Sequence, residues 1–401
     1  MSMTPAARWG AIAGCLVLAG AGSAGAVLWQ ASTFDALFAD IQKKLTDEGA
    51  RQGLIVVAEE TGRDWRSRDL SVRFGGPGVD LRWTGKATFG FGTAAELTLD
   101  TAYGTAAQFE ELGIAGYSDK ITIESSLTST DLKWGWEALP FKIMEEKTVL
   151  AQVGAMSLTG TGDMTSATFK LDGLTAGDQT EKLVLKRLTA DFKADAEDMR
   201  NSSVAWKLES FNYDGGEEKV ALGESTLTMG IRVTGEEKQK DKEGRKVPSA
   251  IFSLDYGMKL GAMDEAGERL WDEWEARAEV NEIPEKLLTS LAFHTPEERF
   301  GVLAYLQYAF HRQGLNINVP VNVWRLKGAE ASVTGKLVDT DAGLGSFDVK
   351  IDSTFTDHVP ELKQETDAWV KEGLLREEEG RLVGHGIIDN QARFFMNGQP
   401  L

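Results

Sequence analysis

Residues 167–174 read Ala-Thr-Phe-Lys-Leu-Asp-Gly-Leu, and residues 204–211 read Val-Ala-Trp-Lys-Leu-Glu-Ser-Phe. In the first, Ala167, Phe169 and Leu171 alternate with Thr168 and Lys170. In the second, Val204, Trp206 and Leu208 alternate with Ala205 and Lys207. A period of 2 with a lysine on the polar side marks a strand with one buried face and one wet face. Both octets end on a turn signal and form a weak internal repeat, alike in pattern more than in sequence. The same period recurs outward in both directions, at Leu70-Val72-Phe74, Ile121–Leu127, Trp134-Trp136, Leu183-Leu185, Leu227–Val233 and Ile251–Leu254. Turn signals punctuate the runs: Gly75-Gly76-Pro77-Gly78, Asp172-Gly173, Asp214-Gly215-Gly216 and Thr234-Gly235. Spacings of about 10 to 20 residues predict successive antiparallel hairpins. Glu236–Ser249, rich in mixed charge, reads as a solvated hairpin loop, with a basic recognition loop as the alternative.

Helical periodicity frames this β region. Phe34, Leu37, Phe38, Ile41 and Leu45 predict a helix over 32–52. Leu270, Trp271, Trp274 and Ala278 predict another over Asp264–Glu282, followed by short helices opened by Pro284 and Pro296. Strand pattern resumes at Leu315–Val319, Val321–Leu326, Ala331–Leu337 and Phe347–Ile351. Pro360 opens a last helix, and a hairpin of Leu382–Ile388 with Ala392–Met396 turns at Asp389-Asn390. The expected organisation is a membrane or signal segment (1–30), a connecting helix (31–53), an antiparallel β-rich region (54–262), a helical insertion (263–314) and a β-rich C-terminal region (315–401).

Trp9 to Trp29 form 21 residues without a charge, enough to span a bilayer core of roughly 30 Å. Arg8 is the one charged side chain in the first 30 residues and favours a cytoplasmic N-terminus. A single-pass inner-membrane anchor through residues 9–29 is the leading expectation. Two alternatives stay open: a signal peptide cleaved near Ala24-Gly25-Ala26, and a lipoprotein box at Ile12–Cys15. All three place the body beyond the membrane.

Composition excludes several function classes. The 401 residues hold 43 Lys and Arg against 62 Asp and Glu, a net charge of −19. That balance rules against nucleic-acid binding and against docking on anionic headgroups. With 42% hydrophobic residues and 11 Trp, the chain can bury a sizeable core. A single cysteine, Cys15, excludes an intrachain disulfide, and four scattered histidines leave little for a metal site. Gly85-Lys86 lacks the spacing and the following Ser/Thr of a phosphate loop. Asp339–Lys350 lacks the final Glu of a calcium loop. No nucleophile elbow occurs, and no specific carboxylate pair stands out for glycoside hydrolysis. Asn201-Ser202-Ser203 reads as a solvated turn. His385, between two glycines, is the most notable histidine, and its ordinary reading is a solvated side chain. No catalytic, cofactor-binding or metal residue is therefore expected.

The anchor with its following helix, Glu60–Val72 (ETGRDWRSRDLSV), Asp367–Leu375 (DAWVKEGLL) running on to Phe395–Leu401 (FMNGQPL), and Pro284–Leu288 (PEKLL) together resemble the YdgA-like family of bacterial envelope proteins, a family of undefined function. Together with the alternation and helical spacings above, the expected fold is mainly β: a transmembrane helix, then an elongated, curved antiparallel sheet, groove-like or open-barrel-like, with several helices in the C-terminal third; the resemblance implies an inner-membrane-anchored periplasmic protein. It also implies distant kinship to AsmA-like proteins, whose curved sheets form a groove thought to carry lipids. The expected function is a non-enzymatic, membrane-anchored periplasmic protein binding phospholipid or acyl chains. The alternative is a scaffold whose sheet edges recruit other envelope proteins. No catalytic residue or cofactor comes with the family.

Overall fold

The computed structural model describes residues 30–32, 34–36, 38–39 and 42–43, and then 55–401 apart from 91, 127–131, 164, 179, 217, 241–245, 286, 288–313, 341–342 and 392. The chain divides into two compact units, Met1–Asp178 and Gln179–Leu401. Both are built almost wholly of antiparallel strands.

The first unit contains β1 (Ile55–Asp64), β2 (Ser67–Gly76), β3 (Val79–Phe89), β4 (Gly92–Leu99), β5 (Ile114–Ala115), β6 (Asp119–Ser126), β7 (Lys133–Ala138), β8 (Phe141–Glu145), β9 (Thr148–Val153), β10 (Met156–Thr161), β11 (Ser166–Leu171) and β12 (Leu174–Gly177). Its main ladder runs β1-β2-β3-β4-β6-β7-β10-β11. A shorter one runs β5-β8-β9-β12.

The two ladders are arms of one creased sheet. Met156 pairs with Leu171, and Val153 with Leu174, so the register passes through the step between the arms unchanged. The rungs inside the step are bonded too: Gly154 N–H donates to Gly173 O at 2.7 Å, Asp172 N–H to Ala155 O at 2.9 Å, and Leu139 N–H to Ser118 O at 2.9 Å. Gly173 takes φ 125° here, a conformation open to glycine. Asp172-Gly173 is therefore not the hairpin turn its composition predicts; the chain bends and continues in the same direction.

The second unit repeats the device. It contains β13 (Lys182–Leu185), β14 (Leu188–Ala194), β15 (Ser202–Leu208), β16 (Phe211–Gly215), β17 (Glu218–Leu222), β18 (Ser225–Lys240), β19 (Lys246–Leu260), β20 (Met263–Glu265), β21 (Glu268–Trp271), β22 (Glu273–Pro284), β23 (Asn316–Leu326), β24 (Ala329–Thr340), β25 (Gly343–Asp352), β26 (Arg376–Glu378), β27 (Arg381–Ile388), β28 (Phe394–Met396) and β29 (Gln399–Pro400). The main arm runs β14-β15-β18-β19-β22-β23-β24-β25-β27, and the short arm β13-β16-β17-β20-β21. Lys186 to Ser210, Glu209 to Arg187 and Gly223 to Ala262 are bonded across the crease. The repeat read at 167–174 and 204–211 now has a structural meaning. Each octet is a main-arm strand followed by its crossing of the crease.

Several expectations need correction. Asp264–Glu282 is not helical but forms β20, β21 and most of β22. Trp274 and Ala278 are spaced by four, which fits a period of 2 as well as 3.6, and Glu275, Arg277 and Glu279 complete the alternation, while Leu270 is exposed on β21. The crease at Asp272 shifts Trp271 into phase with Trp274. The helical insertion at 263–314 is thus strand through Pro284. Glu285 and Leu287 are helical, and 288–313 lies outside the described residues. Thr234-Gly235 is a bulge inside β18 rather than a turn, and pairing continues from Glu236 to Lys240 against Ala250 to Lys246, so most of the predicted loop is ladder. The inner-membrane, single-pass placement is also overturned for what the structure describes. No helix among the described residues is long and apolar enough to cross a membrane. Residues 9–29, on which that placement rested, lie outside them. The sheets do not close into a barrel among the described residues.

Helices cover parts of the apolar faces. Helical residues between Gln30 and Lys43 lay Ala31, Phe34 and Phe38 on Leu70, Ala87, Phe89, Ala95 and Leu97. In the second unit, Ser353–His358 and Pro360–Lys371 set Phe355 and Leu362 against Leu326, Ala331 and Ile351. Phe252, Ile283, Leu287 and Leu315 form a further cluster. Between these covers the apolar faces are left partly open.

Candidate binding faces at the creases

Pairing sets the side chains of the second unit in rows. Trp206, Leu227, Met258 and Ala276 stand opposite one another on successive strands, and Val204, Met229, Tyr256 and Ala278 form the next row. Met229 is 45% exposed and Tyr256 38%, so this stretch is apolar and uncovered. On the short arm Phe211 faces Leu185 and Leu222, and Tyr213 faces Leu183 and Val220. Trp271 of the short arm meets Trp274 of the main arm edge to face at 5.9 Å, and Trp274 stacks on Trp324 at 5.7 Å. That contact spans the crease and places the apolar rows of both arms on its inner side. The result is a trough. Five chain segments cross the crease, so its floor is about 19 Å long at about 4.8 Å per strand.

The other side of the crease is polar. Lys186–Glu209 (3.7 Å), Lys207–Glu224 (2.9 Å) and Lys259–Glu273 (2.6 Å) run along it. The ammonium of Lys259, hydrogen-bonded to Glu273, holds that carboxyl below its ordinary range. On this polar face Gly230 and Gly257 leave a dent of about 640 Å³, flanked by Lys259, Arg277, Asp255 and Glu279. A smaller dent of about 330 Å³ lies over Gly135 in the first unit, among Thr122, Thr159 and Thr168.

The inner face of the first unit is apolar along one row from Val72 through Trp83, Leu99, Ala138 and Met156 to Leu171, with a single interruption, Asp119. Asp119 is only 3% exposed. Trp83 donates its indole N–H to Oδ1; Trp136 Nε1 donates to Oδ2 at 2.9 Å, and Tyr117 Oη to the same oxygen at 2.7 Å. Indole N–H groups only donate, so the group they surround is an acceptor on both oxygens, as a carboxylate is. Burial, then the hydrogen bond to Asp119 and its charge, push the Tyr117 hydroxyl well above its ordinary range. Tyr117 packs edge-on against Phe109 (5.3 Å) and Phe141 (5.1 Å), the latter on the short arm.

Sequence reasoning named no site residue and missed this cluster. A signal was present: Asp119 stands in phase with Ile121 and Ile123, an acidic residue on the buried parity of its strand. His385, the histidine singled out, pairs through Nδ1 with Asp348 Oδ1 at 2.8 Å across β25 and β27, and both side chains are more than half exposed. Asn201 accepts from Val233 N–H at 2.7 Å as it enters β15, rather than lying in a free turn. Among the described residues no group of three or more His, Cys, Asp or Glu is placed to hold a metal ion. No protein-family model matches the chain, and no curated protein or solved structure is similar enough to count as a match.

Proposed function

We propose that this chain is a binding protein rather than an enzyme, and that it holds the acyl chains of lipids along the apolar inner faces of its creased sheets. The observation that carries the reading is the open trough of the second unit. Trp206, Leu227, Met229, Tyr256 and Met258 line it without an acidic or basic side chain, and neighbouring stretches of the same face lie under helices. Burial of each methylene there is worth about 0.8 kcal/mol, so a chain lying on the rows needs few polar contacts. The sequence resemblance to YdgA-like envelope proteins and the groove of AsmA-like proteins favours the same ligand class. Exposed Ile387 (43%) and Phe394 (48%) on the terminal hairpin favour a second reading, a scaffold that recruits other envelope proteins.

The test is native mass spectrometry of the full chain purified without detergent, followed by lipid extraction. Near-stoichiometric co-purifying lipid supports the reading. Protein that stays lipid-free, even after incubation with vesicles, overturns it and directs attention to protein partners at the terminal hairpin.

A further inference from the structure

We infer that the crease of the first unit recognises the quaternary ammonium headgroup of a membrane lipid whose chains lie on the adjoining apolar face, a proposal that rests on the acyl-chain reading above. Asp119 is the one ionisable residue among the inward positions of β3, β4, β6, β7, β10 and β11, and among the described residues it is enclosed by aromatic rings rather than by a cation. Carboxylates are rarely buried without a paired charge, because an isolated ion in an apolar setting is costly. Three neutral donors satisfy its oxygens and leave its negative charge uncompensated within the face.

That arrangement suits a particular kind of cation. Rings that donate N–H or O–H to a carboxylate gain electron density, which deepens the negative potential on their faces. Trp83, Trp136 and Tyr117 all do so, and Trp136, Tyr117 and Phe141 are partly exposed. A quaternary ammonium has no N–H to donate and is attracted to ring faces, with Asp119 supplying field behind them rather than a direct contact. A primary ammonium needs acceptors, and three of the roughly four acceptor positions of Asp119 already receive ring donors. An anionic headgroup meets the buried carboxylate and a chain of net charge −19. The expected order is therefore quaternary ammonium, then primary ammonium, then anionic.

The experiment offers the full-length, delipidated protein vesicles of dioleoyl phosphatidylcholine, phosphatidylethanolamine or phosphatidylglycerol, and measures bound lipid by native mass spectrometry. Tetramethylammonium chloride is the soluble competitor, with intrinsic tryptophan fluorescence as a second readout. Phosphatidylcholine should load roughly three- to thirtyfold over phosphatidylethanolamine, the range expected of a desolvated cation–π site. Tetramethylammonium should alter the fluorescence and reduce that preference. Asp119→Asn and Trp136→Phe should each bring the ratio toward one while total loading persists, with melting curves to show that both variants fold. The wild-type competition decides the matter without any variant. Equal loading of the three lipids with no effect of tetramethylammonium overturns the headgroup site and leaves the acyl-chain reading standing. Binding of tetramethylammonium by a protein that takes up no lipid overturns the lipid source and the acyl-chain reading together. Absence of both overturns everything proposed for this crease.

Discussion

Arg68 is 5% exposed and holds the N-terminal helical residues to the sheet. Its guanidinium makes a bidentate pair with Asp35 at 3.0 Å on both oxygens, donates to Asp64 O and Ser67 O, and lies over the ring of Phe89. Asp35→Asn removes the bidentate partner and leaves that buried cation only Glu60, at 3.6 Å, so a loss of about 1 to 3 kcal/mol is expected in denaturant unfolding. Arg68→Lys should not restore stability, because an ammonium cannot reproduce the fork or the stacking. A loss under about 1 kcal/mol for Asp35→Asn would show that the helix is held by its other contacts, the packing of Ala31, Phe34 and Phe38 and the hydrogen bond from Thr93 to Gln30. Met229 gives the opposite kind of test. At 45% exposure, Met229→Asp should leave stability within about 0.5 kcal/mol of the parent while lowering bound lipid, because the change falls on open surface. Unchanged lipid content in a folded Met229→Asp protein would remove the second unit's trough from consideration.

At the scale of elements, the crease is the feature that needs checking. The amides of Leu139, Gly154, Asp172, Lys186, Glu209 and Gly223 sit between strands yet donate to neighbouring segments. They should exchange with deuterium as slowly as the strand amides beside them, whereas amides of ordinary loops exchange fast. Gly173→Ala places a side chain at φ 125° and should cost about 1 to 3 kcal/mol in unfolding experiments. Most of the sheet was legible in the sequence, since alternation such as Val204-Trp206-Leu208 and Leu227-Met229-Ile231 encodes strand and buried face together. The crease was not legible. Asp172-Gly173 looks like any turn, because local composition reports a change of direction and not whether the next strand continues or returns. Spacing by four misled at Trp274-Ala278 for a related reason, as two periods share that multiple. The aromatic surround of Asp119 was out of reach because Trp83, Tyr117 and Trp136 converge only once four strands, β3, β4, β6 and β7, pair.

For the whole molecule, acidity sets the pH response. The guanidiniums of Arg73, Arg82 and Arg200 hold Asp80, Asp100 and Asp198 below the ordinary carboxyl value, and the backbone N–H groups of Lys327 and Arg393 do the same for Asp272 and Asp389. A carboxyl with a depressed folded pKa stabilises fully above its unfolded value and loses that contribution as pH falls through the folded one. Thermal midpoints should therefore stay level from about pH 8 to about pH 5 and decline below about pH 4. A midpoint that rises on acidification below pH 4 would mean that relief of the net negative charge outweighs these pairs. The bonded crease has a mechanical corollary. Because the register runs through it unbroken, the two arms of a sheet behave like covers on a spine. A small rotation spread over one or two residues per strand widens the angle between them without breaking a hydrogen bond, while sliding one strand past the next breaks many. Such a sheet is compliant in the one direction that would admit guests of different girth and stiff in the others.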